Sequence, residues 1–226
     1  MKHSSFYKQF KIKIKQFLRI KVSFDEIVYS YVDPKFDIID AGANDGSDSR
    51  RLAELTNGTV YAFEPVPEIY NSLVNKTADV ENIETFEAAL ADQTGNMSMF
   101  VSGGGSDASS SLLEPNKHLE KNPEVTFSDR ITVKTFSLDD WAKQHGIKKI
   151  DFMWLDMQGY EYQMLKASKE IFSTLKVLYT EVSTIELYSD QGLYAEYKNW
   201  LYESGFKLVK EDLSWEFTGN ALFTKK

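Results

Sequence analysis

From Phe36 to the end of the chain, short β-branched apolar runs alternate with stretches of helical periodicity, and few folds satisfy that alternation. The strand-like runs are DIIDAG, TVYAFEP, IETFEAAL, IDFMWLDM and KVLYTEV. Helical stretches fall between them at SRRLAEL, PEIYNSLVNK, YEYQMLKASKEIF and LYAEYKNWLYESG, the second opened by a proline and the last closed by Gly205. FKLVKEDLSWEF and NALFTKK read as a closing hairpin. The pattern predicts an α/β domain over residues 36–226. Its sheet is seven-stranded and mostly parallel, with a C-terminal antiparallel hairpin and helices on both faces.

Two segments stand outside the alternation. An insertion at about residues 96–135, between the third and fourth strands, has strand-like ends, NMSMFVSG and RITVKTF, around a Gly- and Ser-rich middle. A loop that long in a compact domain is expected to be either a lid or a disordered excursion. Residues 1–35 form an N-terminal helical extension. In it Phe6, Phe10, Ile14, Phe17 and Leu18 recur at helical spacing among Lys8, Lys11, Lys13, Lys15, Arg19 and Lys21. Such a helix either lies on an anionic membrane surface as a peripheral contact or packs against the domain edge or a second subunit, as in a homodimer. The packed reading is the favoured one.

The 226 residues carry a formal net charge of -8, which repels nucleic-acid phosphates over most of the surface, so no nucleic-acid partner is expected. With no cysteine, thiolate metal sites and cysteine nucleophiles are excluded. The N-terminus has no continuous apolar core for a secretory signal, and a cytoplasmic location is expected.

The chemistry concentrates after the first strand. Asp40, Gly42, Ala43, Asn44, Asp45 and Gly46 form a glycine-bearing turn leading into a helix. A dinucleotide site would carry Gly-x-Gly-x-x-Gly for a pyrophosphate, whereas here two acids flank a Gly-x-x-x-Gly spacing. Carboxylates suit a ligand bearing an ammonium and a sulfonium, which describes S-adenosylmethionine. Glu64, followed by Pro65, ends the next strand, where a carboxylate accepts hydrogen bonds from both ribose hydroxyls. Small Ala88 and Ala89, with Leu90, leave room for an adenine ring after the third strand.

In order along the chain, Asp40-Ala-Gly-Ala-Asn-Asp-Gly46, Phe63-Glu-Pro65, Ala88-Ala-Leu-Ala-Asp92, Ile150-Asp-Phe-Met-Trp-Leu-Asp-Met-Gln-Gly-Tyr-Glu161 and Glu181 resemble the FkbM family of methyltransferases. The family pattern for the fourth segment is close to Ile-Asp-x-x-Lys-x-Asp-x-Glu-Gly-x-Glu. This chain carries Trp154 where lysine is common and Gln158 where glutamate is common. The resemblance implies a class I, Rossmann-like methyltransferase fold. It also implies transfer of a methyl group from S-adenosylmethionine to a hydroxyl of a small-molecule or glycan acceptor, a sugar or a natural-product scaffold.

A hydroxyl is a weak nucleophile, so a base or a metal must take its proton. Asp156 and Glu181 end neighbouring buried strands at the carboxyl edge, where ligands bind in such sheets. Either could be catalytic, and together they present two hard oxygen ligands for Mg²⁺ or Mn²⁺. Asp156 is expected to touch the cofactor as well. Gln158, Tyr160 and Glu161 in the following turn, and Ser110 in the lid, are candidate substrate contacts. Of the three histidines, His3 lies at the terminus and His145 beside a surface turn, which leaves His118, in the lid, as the one candidate base. Two other functions compete with this one: a non-catalytic adenosyl-binding scaffold, and a nicotinamide-dependent oxidoreductase.

Overall fold

A computed structural model describes residues 5–18 and 20–226, so His3 and Arg19 lie outside the described residues. A seven-stranded sheet runs through the middle of the domain. Its strands are β1 (Ile38–Ala41), β2 (Val60–Phe63), β3 (Ile83–Phe86), β7 (Phe152–Leu155), β8 (Val177–Ser183), β9 (Phe206–Asp212) and β10 (Thr218–Lys225), in spatial order β3-β2-β1-β7-β8-β10-β9. The first five pair in parallel, and β10 inserts antiparallel between β8 and β9. The closing hairpin is thus part of the sheet, as the sequence predicts, and the arrangement is the class I methyltransferase topology.

Strands β1, β2 and β7 are buried along their whole length because helices cover both faces. Alternate residues serve two cores. Ile39, Met153 and Leu178 pack under Trp141, Leu165, Phe172 and Leu201, which come from α6 (Leu138–His145), α7 (Glu161–Ala167), α8 (Lys169–Thr174) and α9 (Tyr194–Glu203). Ile38, Phe152, Trp154 and Tyr179 pack on the other side against Ile27, Val28 and Leu52, from α2 (Phe24–Ser30) and α3 (Ser47–Ala53). Helix α2 opens on a capping box between Ser23 and Glu26.

Three expectations change in detail. The run IETFEAAL is not one strand: β3 stops at Phe86, and Ala89–Ala91 forms β4, which pairs with β6 (Val125–Ser137) in a second sheet of order β4-β6-β5, β5 being Gly95–Gly104. The insertion is therefore built on an antiparallel ribbon, β5 with β6, and the segment between these strands contains the short helix α5 (His118–Lys121). The run YEYQMLKASKEIF splits into α7 and α8 at Ser168, whose hydroxyl bonds back to the Met164 carbonyl at 2.7 Å.

The N-terminal helix α1 (Ser5–Phe17) sits on the domain edge beside α2 and leaves much of its apolar stripe uncovered. Ile12 packs toward the core beside α2, and Lys15 pairs with Glu26. Tyr7, Phe10, Ile14, Leu18 and Phe17, the last 86% exposed, face away from the domain. No described helix is long and apolar enough to cross a membrane.

Candidate active site

The chain leaves β1 toward β2 and β3, then returns to place β7 on the other side of β1, so the connections diverge between β1 and β7. Loops part at such a point and leave a crevice at the carboxyl ends of the strands. Gly42 and Asp156 follow these two strands directly, and the Asp156 amide donates to the Ala41 carbonyl at 2.9 Å. Gly42 has φ +81, and a Cβ on it would lie 1.8 Å from the Asp156 carbonyl oxygen. Glycine is required here so that two strand ends can touch, not only so that a ligand can approach.

A cavity opens above this point. Gly42, Asn44, Glu64, Pro65, Ala89, Leu90, Ser110, Asp156, Gln158 and Tyr160 line it, ten of the residues that sequence reasoning selected. Phe63, Ile69, Met99 and Leu112 add apolar wall, and Asp107 adds an acid. Glu64 is buried. Its two oxygens accept from the backbone amides of Val66 at 2.9 Å and Asn44 at 3.1 Å. Burial raises its pKa to about 7, and the two amides only partly oppose the shift. A carboxylate so held has lone pairs free for a vicinal diol. Beside it, Ala89, Leu90 and Met99 supply an apolar surface for a flat base. These residues fit the adenosyl half of S-adenosylmethionine.

Other selected residues stand behind this wall. Ala43 packs with Ala62 and Leu73, and Ala88 belongs to the main core. Gly46 starts α3 in the left-handed conformation, where a Cβ would strike Leu73 and Thr77 of α4 (Pro67–Thr77). Asp45 pairs with Lys76 and accepts from the Ser47 amide at 2.9 Å, a local turn just ahead of α3. Asp40 is buried, accepts from the Ser49 hydroxyl, and is pushed up to about 7 by burial. Of the acids expected to flank the ligand, neither Asp40 nor Asp45 reaches the cavity; Glu64, Asp107 and Asp156 supply its negative charge.

Asp156 sits at the cavity floor, reachable by solvent yet surrounded by protein. Its carboxyl hydrogen-bonds that of Glu181, the residue aligned with Asn220 across β8 and β10. The Gln158 Nε2 donates to both, at 2.8 Å to Asp156 Oδ1 and 3.1 Å to Glu181 Oε2. Tyr188 fixes that amide by donating its hydroxyl to Gln158 Oε1 at 3.1 Å, and Ser111 donates to the Gln158 carbonyl at 2.8 Å. Gln158 adopts φ 52, which these contacts hold against its usual preference. Burial raises the pKa of both carboxyls. At Asp156 the hydrogen bonds with Gln158 and Glu181 oppose the rise, whereas at Glu181 the neighbouring charges of Asp156 and Glu161 add to it and carry it well above its ordinary range.

That geometry does not suit the Mg²⁺ or Mn²⁺ considered for Asp156 and Glu181. An N–H donor spans the two carboxyls where a cation would need an oxygen, and among the described residues no group of three acidic or histidine side chains gathers as a metal site. Glutamate at position 158 would have supplied the third acid.

Of the remaining candidates, Tyr160 and Ser110 line the cavity, whereas Glu161, His118 and His145 do not. Glu161 is buried and accepts from the Met157 amide at 2.6 Å and the Gly159 amide at 3.4 Å, bracing the turn that carries Gln158. Burial raises its pKa to about 8. Tyr160 lines the cavity with its ring while its hydroxyl donates to Asp92 at 2.8 Å. The Ser110 hydroxyl is engaged by the Ser102 amide at 3.0 Å, so this serine ties the insertion down as well as lining the cavity. His118 does not swing over the site. It is buried against Phe127 and Tyr188, off the cavity wall, and burial lowers its pKa, so it is a neutral packing residue. His145 is exposed at the end of α6, its Nδ1 2.8 Å from the Trp141 carbonyl.

A family model described as the methyltransferase FkbM domain matches residues 40–208. The chain is 35% identical over 160 residues to the 2-O-methyltransferase NoeI of Sinorhizobium fredii, an alignment spanning 68% of this chain and 66% of that protein. Among solved structures, the magnesium protoporphyrin IX methyltransferase ChlM of Synechocystis PCC 6803 with bound S-adenosylmethionine is similar at 12% identity and a TM-score of 0.49, over 97% of this chain and 80% of that one. An rRNA methylase of Streptococcus thermophilus is similar at 14% identity and a TM-score of 0.47, over 88% of this chain and 92% of that one. The chain belongs to the FkbM family of S-adenosylmethionine-dependent methyltransferases.

Proposed function

We propose that this enzyme methylates a hydroxyl oxygen of a sugar or natural-product acceptor, without a metal ion, and that the Asp156–Glu181 pair is its base. The observation that carries the reading is this carboxyl pair, bridged by Gln158 at the junction of β7 and β8 on the floor of the adenosyl-shaped cavity. The 2-O-methyltransferase activity in the name of the Sinorhizobium fredii relative supports an oxygen acceptor.

S-adenosylmethionine supplies a methyl group on a positively charged sulfur, which departs as a neutral thioether. The chain supplies the rest. Glu64 holds the ribose and Gly42 brings the β1 and β7 ends together, so that Asp156 faces the reacting region. With a proton on Glu181, Asp156 is the ionised member, and the Gln158 amide steadies that charge. A carboxylate whose proton affinity is raised by burial is a better base for a hydroxyl than an exposed one. As the new oxygen–carbon bond forms, the hydroxyl proton passes to Asp156, and solvent takes it after product leaves.

The test is incubation with cofactor carrying a deuterated methyl group and a panel of glycans and glycosylated small molecules, read by mass spectrometry and NMR. An O-linked labelled methyl, formed equally well in excess EDTA, is the expected result. Label found only on nitrogen or carbon, or activity that vanishes with EDTA and returns with Mg²⁺, overturns the reading.

A further inference from the structure

A second cavity, of about 330 Å³, is lined by other elements, and among the described residues Asp156 is the one that the two share. We propose that this second cavity is the acceptor site, that it takes a sugar ring free of negative charge, and that Trp215 is the platform on which the ring stacks. The proposal rests on the reading of the enzyme as a sugar O-methyltransferase and names the acceptor chemistry of that site.

Position is the first ground. Displacement at a methyl group requires the incoming oxygen and the departing sulfur on opposite sides of the carbon. Two separate cavities that share one lining carboxylate allow the methyl donor to occupy one and the acceptor the other, with the base at their junction. The volume is of the size that holds a single small ligand.

The wall chemistry is the second. Trp154 and Tyr179 stack at 3.8 Å between ring centroids and form an apolar floor, with Phe24 tilted beside Tyr179. Trp154 stands where the family pattern commonly has lysine, so a positive charge is replaced by a ring. At the rim, on the loop between β9 and β10, Trp215 is 58% exposed. An indole left in water beside a cavity is an unpaired apolar face. A pyranose presents a face of C–H bonds to such a ring while its hydroxyls turn outward to polar groups. Asp212, Ser214 and Asn220 stand around the same cavity to receive them.

Charge is the third. Asp25, Asp48, Asp156 and Asp212 line the cavity against the cation of Arg51, which is already bonded to Asp48 at 2.9 Å. The net field is negative. It repels a uronate or a phosphorylated sugar and favours a neutral or amino-bearing ring.

The experiment uses the full chain saturated with S-adenosylhomocysteine. Binding is read by saturation-transfer NMR for matched methyl glycosides in three forms: neutral hexose, 2-amino sugar and uronate. The amino and neutral forms are expected to bind, with the uronate weaker by about tenfold or more. Trp215→Ala, on an exposed loop, is expected to weaken all binding members by about tenfold while leaving S-adenosylhomocysteine affinity unchanged. A double change, Asp25→Asn with Asp212→Asn, is expected to shrink the gap between amino sugar and uronate. Uronates binding as well as amino sugars, Trp215→Ala binding as the parent does, or no glycoside binding at all overturns the proposal. Sugars that bind here without being methylated would sink the O-methyltransferase reading but keep the pocket. Sugar methylation that ignores both variants would do the reverse.

Discussion

Replacing Glu64 by glutamine tests how the cavity recognises its cofactor. In the structure each Glu64 oxygen accepts one backbone amide, from Val66 at 2.9 Å and Asn44 at 3.1 Å. Glutamine keeps the shape but sets an N–H₂ group against one of those N–H donors and removes the charge that a ribose diol would meet. Losing a hydrogen bond to a charged, buried acceptor costs about 1.5–3 kcal/mol, which is roughly 10- to 150-fold in affinity. The parent protein carries a second signature. With Glu64 titrating at about 7, binding that favours its ionised form strengthens as pH rises. Affinity for S-adenosylhomocysteine is expected to be about tenfold weaker at roughly pH 6 than at pH 8, with about half a proton released on binding at pH 7. Isothermal calorimetry across this range, in buffers of different ionisation enthalpy, measures both quantities. Glu64→Gln should bind more weakly and lose most of the pH slope. Parent-like affinity in the variant, or the same slope in both proteins, would refute the assignment.

Three further outcomes follow from the same geometry. Asp156→Asn is expected to lower kcat by about 10²- to 10⁴-fold, and Glu181→Gln to lower it less and shift the acid limb of its pH profile; calorimetry should show S-adenosylhomocysteine affinity retained in both. Gly42→Ala would press a Cβ to 1.8 Å from the Asp156 carbonyl at a left-handed φ of +81, so loss of the cooperative unfolding transition or of cofactor binding is expected by circular dichroism and calorimetry. Without cofactor, stability should fall as pH rises from about 5.5 to 8. Asp40 and Glu64 titrate at about 7 and Glu161 at about 8, against ordinary values of 3.8, 4.5 and 4.5, so over this window the folded chain holds more protons than the unfolded one. His118, lowered from 6.5, acts in the opposite sense below that pH, as one group against three. A thermal midpoint that climbs over the same pH rise would contradict the burial of those carboxyls.

The central sheet was legible because its signals are local. Buried parallel strands read as continuous β-branched runs, and a carboxylate at each strand end marks the edge where ligands collect, which led to Glu64, Asp156 and Glu181. Local sequence explains Gly42 only as a ligand-approach glycine, because the neighbour that demands it, Asp156, is distant in sequence. The errors share a cause. Asp45 is claimed by Lys76 and Asp40 by Ser49, and no spacing rule reveals which acid a partner will take away from the cavity. IETFEAAL looked like one strand because both of its parts are apolar; only the long-range pairing of β4 with β6 separates them. His118 reads in sequence as a histidine in a lid, while its neighbours Phe127 and Tyr188 make it a buried packing residue. The second cavity draws on α2, β7, β8 and the β9–β10 loop, so no contiguous motif announces it.

The most direct single test is a crystal structure grown with S-adenosylhomocysteine and Mn²⁺, with anomalous data. The ribose hydroxyls are expected on Glu64, the adenine against Ala89 and Leu90, and the sulfur toward Asp156. No anomalous peak is expected between Asp156 and Glu181, with the Gln158 amide still bridging them. Nucleoside density away from Glu64, or a manganese ion seated between the two carboxyls, would contradict this account.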